Sequence, residues 1–149
     1  MKKISKIFFT WFLGGILYVT MEILMRGYSH FSMFICGGFC FSLVGYMGKR
    51  VLEQNIGMEK AIVLIMILGT MIITTLELFT GIVVNIILNM EVWDYSDMKY
   101  NVLGQICPLF SGLWALISLP CVYINSMVRK YIYGEEIDYI RPIENINQT

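Results

Sequence analysis

Four long apolar runs, at about Ile7–Met25, Ser32–Gly48, Ala61–Met90 and Ile106–Val128, constrain what this chain can fold into. Each is near or above the roughly 20 residues a helix needs to cross the hydrocarbon core of a bilayer. They predict an all-α integral membrane protein, with a four-helix transmembrane domain over residues 1–130 and a polar tail over 131–149. The second run is short, but Lys49 and Arg50 at its end can snorkel to the interface. The third exceeds one perpendicular crossing and must tilt or run past the surface. The start, "MKKISKIFFTWFLGGILYVTMEIL", has the basic head and apolar core of a secretory signal. Glu22 and Arg26 follow that core in place of a small-x-small cleavage pattern, so the segment reads as an uncleaved first transmembrane helix.

Composition then excludes several functions. With 57% hydrophobic residues and a mean hydropathy of +0.67, the lipid bilayer is the expected solvent. Eleven Lys and Arg balance eleven Asp and Glu, which leaves no basic body for nucleic acid. One histidine, His30, is too few for a His-based metal site or a Ser-His-Asp triad. Cys36, Cys40, Cys107 and Cys121 lie inside apolar runs without zinc-ligand spacing and read as buried free thiols. There is no Walker A sequence, so if the protein uses ATP another subunit binds it. Neither a metal nor a cofactor is expected in this chain.

Placing the N-terminus in the cytoplasm puts Lys2, Lys3, Lys6, Lys49, Arg50, Lys60, Arg129, Lys130 and Arg141 inside and only Arg26 and Lys99 outside. That asymmetry satisfies the positive-inside rule. Both termini and the Glu53–Glu59 loop are then cytoplasmic, while the turn at Gly27–Phe31 and the "VWDYSDMKYN" loop face outward.

"LGGILYVTMEIL" aligns with "LGTMIITTLELF" without a gap, pairing Leu13 with Leu68, Gly14 with Gly69, Thr20 with Thr75 and Glu22 with Glu77. "ICGGF" at Ile35–Phe39 echoes "ICPLF" at Ile106–Phe110, the outer loop being an insertion in the second half. The pattern suggests a parallel two-helix duplication about an axis along the membrane normal. Each glutamate sits on a small or polar stripe: Trp11, Gly15, Tyr18, Glu22 and Arg26 in the first helix, and Thr70, Thr74, Glu77, Gly81 and Asn85 in the third. Gly38, Ser42 and Gly45, with Ser111, Ala115 and Ser118, offer close packing on the other two helices.

Intramembrane carboxylates are costly and turn toward protein or water. One reading makes Glu22 and Arg26 an i, i+4 ion pair and Glu77 a hydrogen-bonding glue for the bundle. The other makes Glu22 and Glu77 a carboxylate cluster on an outer vestibule, able to carry a proton or bind a cation. In the outer loop, Trp93, Tyr95 and Tyr100 suit an interfacial belt, and Asp94, Ser96, Asp97 and Asn101 suit turns and caps. The run is expected to fold back as a lid on the cluster, with Asp94 or Tyr95 completing its hydrogen bonds and Trp93 anchoring it at the interface.

"LELFTGIVVN" followed by "VWDYSDMKYNVLGQICPLFSGLWALIS" resembles the signature of the bacterial ABC-transporter type IV family, also described as ABC transporter permeases. The matching residues are Glu77, Trp93, Asp94, Tyr95, Ser96, Asn101, Gly104, Ile106 and Cys107. The likeness is specific over Leu76–Ser118, and "MEILMRGYSHFSMFICGG" extends a looser similarity through most of the chain. Many relatives carry a Gly-Pro and a Pro-Ile-Tyr-Gly where this chain has "SMFICGGFCFSLVG", which marks a subgroup. The resemblance implies a small permease subunit of the bacterial plasma membrane, worked by a separate ATPase subunit. It implies neither a substrate nor a catalytic residue. Four helices enclose little room for a path, so a homo-oligomer is expected if the chain transports. The alternatives are a proton-coupled small exporter with Glu22 as its exchangeable carboxylate, a membrane scaffold, and, third, an intramembrane enzyme using Asp94, Glu22 and Glu77.

Overall fold

The computed structural model describes residues 2–54 and 56–137. It contains four helices, each long and apolar enough to cross a membrane: α1 (Lys2–Arg26), α2 (Phe31–Leu52), α3 (Met58–Gly81) and α4 (Pro108–Met127). Among the described residues there is no strand, only an isolated bridge between Val102 and Ile106. The expected polar tail from residue 138 onward, including Arg141, lies outside the described residues.

The helix ends follow local chemistry. His30 caps α2, its Nδ1 accepting from the Ser32 amide at 3.2 Å, so the lone histidine serves a helix terminus. α4 begins at Pro108, two residues past the start of its apolar run, because proline is favoured in a first turn and Ile106 is engaged with Val102. α3 and α4 each run on into a π-helical stretch, Ile82–Ile87 and Val128–Ile132. With those extensions the third and fourth spans reach Ile87 and Ile132.

Consecutive helices pack side by side, and α2 is the hub, touching α1, α3 and α4. Small residues allow this. A β-carbon on Gly37 would collide with the Tyr18 side chain, one on Gly45 with Asn125, and one on Gly69 with Ser118, which is itself fully buried. Large apolar residues such as Leu24, Phe39, Ile67, Phe79 and Leu116 are turned outward instead. That inversion of the soluble pattern is what a lipid solvent permits. An apolar core of Cys36, Cys40, Val44, Ile65, Ile73, Trp114 and Val122 fills the middle of the bundle.

The seam between α1 and α4 is open. An apolar groove of about 180 Å³ runs along it, with Leu17, Tyr18, Met21, Trp114, Ile117 and Ile124 among its walls. The two helices meet across it through long side chains, as where the Tyr18 and Trp114 rings approach with centroids 5.9 Å apart. α2 and α3, by contrast, pack directly. A strict twofold repeat would make those two seams alike.

Candidate functional site

Glu77 is carried by α3 and is only 2% exposed. Tyr18 of α1 donates its hydroxyl to Oε1 at 3.2 Å, and Trp114 of α4 donates its indole N–H to Oε2 at 2.6 Å. Among the described residues no cation touches either oxygen. Three helices are thereby tied through one carboxylate, two of them the walls of the open seam.

Glu22 is buried as well, but differently. Its Oε1 receives Arg26 Nη2, one helical turn away, in a close ion pair, and its Oε2 accepts from Ser29 Oγ at 2.6 Å. Arg26 reaches further, donating from Nη1 to the Val92 carbonyl at 3.3 Å and lying 4.9 Å from the Tyr28 ring centre. The carboxylates aligned by the internal repeat therefore have unlike surroundings: Glu22 faces a cation and Glu77 faces neutral donors.

The signature residues of the loop between α3 and α4 are largely spent on one another. Asp94 is exposed and accepts from the Ser96 amide at 2.8 Å and the Ser96 hydroxyl at 2.6 Å, forming an Asx turn. Those bonds hold its carboxyl below the usual carboxylate range. Asn101 spans the loop, donating to the carbonyls of Ser96 at 3.0 Å and Met98 at 2.8 Å while accepting from Gly104 N at 2.9 Å. Gly104 in turn accepts from Tyr95 N at 2.7 Å, and it has a φ of 67° with Asp94 and Ser96 against its α-carbon. Only glycine meets both demands at this position.

Three loop expectations are corrected. Asp94 accepts its hydrogen bonds from Ser96 and meets neither glutamate, because the Ser96 amide and hydroxyl lie two residues on in its own turn. Trp93 is not an interfacial anchor: it is buried against Met33, Val84 and Val92, and its indole N–H donates to the Gln105 carbonyl at 3.0 Å. Tyr95 stacks on Phe110 with centroids 4.6 Å apart and does not bond to the cluster. It remains within electrostatic reach, since burial pushes its hydroxyl well above the usual phenol range, with Glu77 and Glu22 adding to the effect and Arg26 opposing it. The loop touches the site through its backbone, where Val92 O meets Arg26.

Asn85, in the π-helical end of α3, fastens that loop. Its amide donates to Trp93 O at 2.9 Å and Gln105 Oε1 at 2.7 Å, and its Oδ1 accepts from Val92 N at 2.7 Å. Gln105 packs in turn against Gly81. Sequence reasoning placed Tyr18 and Asn85 on the polar stripes but gave no role to Trp114, Gln105 or Ser29. Spacing offered no signal for them: an indole in an apolar run reads the same whether it faces lipid or protein.

No curated protein and no solved structure matches the chain significantly. A family model does match, over residues 7–141, covering all four spans and the loop with its Trp-Asp-Tyr-Ser run. By that match the chain belongs to the family described as "Putative ABC-transporter type IV".

Proposed function

We propose that this chain is a permease subunit of an ABC-type transporter of the bacterial plasma membrane, with both termini cytoplasmic and a separate ATPase subunit supplying the energy. The observation that carries this reading is the family match over residues 7–141 on a bundle of four apolar spans. That this sequence carries no Walker A pattern is consistent with nucleotide binding by a partner. The asymmetry of basic residues supports the orientation. In mechanism, the α1–α4 seam is the element that opens. Tyr18 and Trp114 stand on its two sides and share Glu77, so separating the helices must break or exchange those two bonds. Glu77 thus acts as a latch toward the outer face, with the Glu22–Arg26 pair beside it fixing the loop through Val92. A path of useful width requires more than one copy.

Purification of the tagged chain from its native membrane tests this. Recovery of a stoichiometric ATPase, and ATP-dependent flux after joint reconstitution, is the expected result. The chain recovered alone and inert with every co-expressed ATPase would sink the proposal.

A proton-coupled exporter is the second reading, and one contrast favours it: Glu77 is buried among neutral donors beside an apolar groove. The exchangeable carboxylate would then be Glu77, since Glu22 is already paired with Arg26 and Ser29. Flux driven by a pH gradient alone, and lost in Glu77→Gln, distinguishes it from the permease. Neither an ATPase partner nor flux would leave a membrane scaffold.

A further inference from the structure

The end of the bundle opposite the loop carries a second polar constellation that the carboxylate site does not use. A cavity of about 470 Å³ opens there between α1, α2 and α4, with Lys6, Thr10, Ser42, Lys49, Arg50 and Arg129 on its walls. The volume lies within the roughly 300–1,000 Å³ of small-molecule sites. Arg129 is 5% exposed; its Nε and Nη2 donate to Glu135 Oε2 at 2.9 and 2.6 Å, while its buried Nη1 has no acceptor among the described residues. A buried donor left unmatched is expensive, and one on a side chain that borders a cavity points to an acceptor that enters it.

The charges agree on the sign of that acceptor. Lys6, Lys49 and Arg129 converge on the single carboxylate of Glu135. Glu53 answers Lys49 at 3.5 Å, and Arg50 donates to the Tyr46 hydroxyl. Among the described residues, four cations thus line this cavity and its neighbour against three carboxylates, Glu53, Glu135 and Glu136. Depth agrees as well. Lys6 lies two residues inside the start of its span, and Lys49 and Arg129 lie three before the ends of theirs, so at about 1.5 Å per residue the charged end of the cavity is at the level of lipid headgroups, while Ser42, ten residues before the end of its span, lines the inner end. Ile7, Leu43 and the Tyr46 ring, all exposed, form its outer rim.

We propose that the charged end of this cavity binds a phosphate group, held by Arg129 Nη1 and neutralised by Lys6 and Lys49. A guanidinium already fixed by Glu135 presents its remaining N–H groups in a set direction, the geometry that suits a tetrahedral oxyanion. The phosphate belongs to an anionic lipid or to a soluble phosphate compound, and one experiment separates these sources.

The full chain is placed in phosphatidylcholine nanodiscs, with phosphatidylglycerol added to the bilayer, inorganic phosphate added to the buffer, or neither, and its thermal unfolding midpoint is followed. A rise of several degrees with at least one addition is expected. Phosphatidylglycerol alone producing it identifies a lipid, and inorganic phosphate producing it identifies a soluble source. Arg129→Gln strands Glu135 and can fail to fold, so the Lys6→Gln/Lys49→Gln pair carries the test. It should weaken the apparent affinity tenfold or more while leaving the unliganded chain folded. No rise with either addition would overturn the proposal. So would a rise unchanged in that double variant, or an equal rise with a fatty acid, which carries charge without phosphate.

Discussion

At the loop end of the bundle, Glu77 is 2% exposed and each of its oxygens meets a donor; at the terminal end, Arg129 is 5% exposed and keeps one nitrogen without an acceptor among the described residues. The loop end gathers two carboxylates and closes them with residues of its own, down to an Asx turn and a glycine seated against Asp94 and Ser96. Among the described residues there, Arg26 Nε is left unmatched. The terminal end gathers cations around one carboxylate and leaves a cavity lined by idle donors. Similar helices and similar burial give a self-satisfied polar lock in one place and a polar deficit in the other. Burial of a charge therefore does not reveal its role; the count of unmatched donors and acceptors does.

The most severe way to break this comparison is to take the acceptor out of the lock. Glu77→Ala should strand the Tyr18 hydroxyl and the Trp114 indole N–H and leave a void, costing about 2–4 kcal/mol of unfolding free energy in detergent. Glu77→Gln should cost under about 1 kcal/mol, because an amide can accept from Trp114 while donating to Tyr18. If both substitutions cost the same, the carboxylate is not acting through those two bonds.

A smaller effect is expected in the loop. Gly104→Val places a side chain where φ is 67° and where Ser96 Oγ and Asp94 Oδ1 would stand 2.6 and 2.7 Å from its β-carbon. A loss of about 1–3 kcal/mol is expected, with faster proteolytic nicking between Met90 and Cys107. A loop as protease-resistant as the parent's would show that its hydrogen bonds do not set its order.

Coupling within the loop end is weaker still. Asp94 bonds to Ser96 and not to the glutamates, so Asp94→Asn and Glu77→Gln should add to within about 0.5 kcal/mol. A larger deviation would join loop and carboxylates into one network.

The mildest test is pH. The Asp94 carboxyl is held low by Ser96, so its contribution is present above the unfolded value of about 3.9 and is lost as pH falls through the lower folded value. The Tyr95 hydroxyl is raised by burial, so its contribution holds below about pH 10 and is lost as pH climbs toward the higher folded value. Loop protection should be flat between roughly pH 5 and 9. Asp94→Asn should remove the acid limb and Tyr95→Phe the alkaline one, read by proteolysis and by phenolate absorbance.

The four spans were legible because length and apolarity answer directly to bilayer thickness, and the small residues on α2 and α4 were legible because helices approach only where side chains are short. The polar stripe of α1 carries Tyr18 and Glu22, both of which are hydrogen-bonded within the bundle. Trp93 was misread because an indole suits both the membrane interface and a buried carbonyl, and only the fold brings Gln105 O within reach. Arg129 read as a topology marker for a parallel reason: a snorkelling arginine and a buried one have the same sequence context, and Glu135, six residues on, becomes its partner only after the π-helical turn bends the chain back.

The placement of α2 at the centre of the bundle sets an order for biogenesis. As the chain leaves the ribosome, α1 meets α2 in its first hairpin, with Gly37 already seating Tyr18. α3 and then α4 find a finished surface waiting for them, and no early helix is held in the bilayer for a distant partner. The Trp114 bond to Glu77 and the contacts around Glu135 wait for the last span. Assembly thus proceeds by neighbours, with the two polar clusters closing at the end as its final proofreading step.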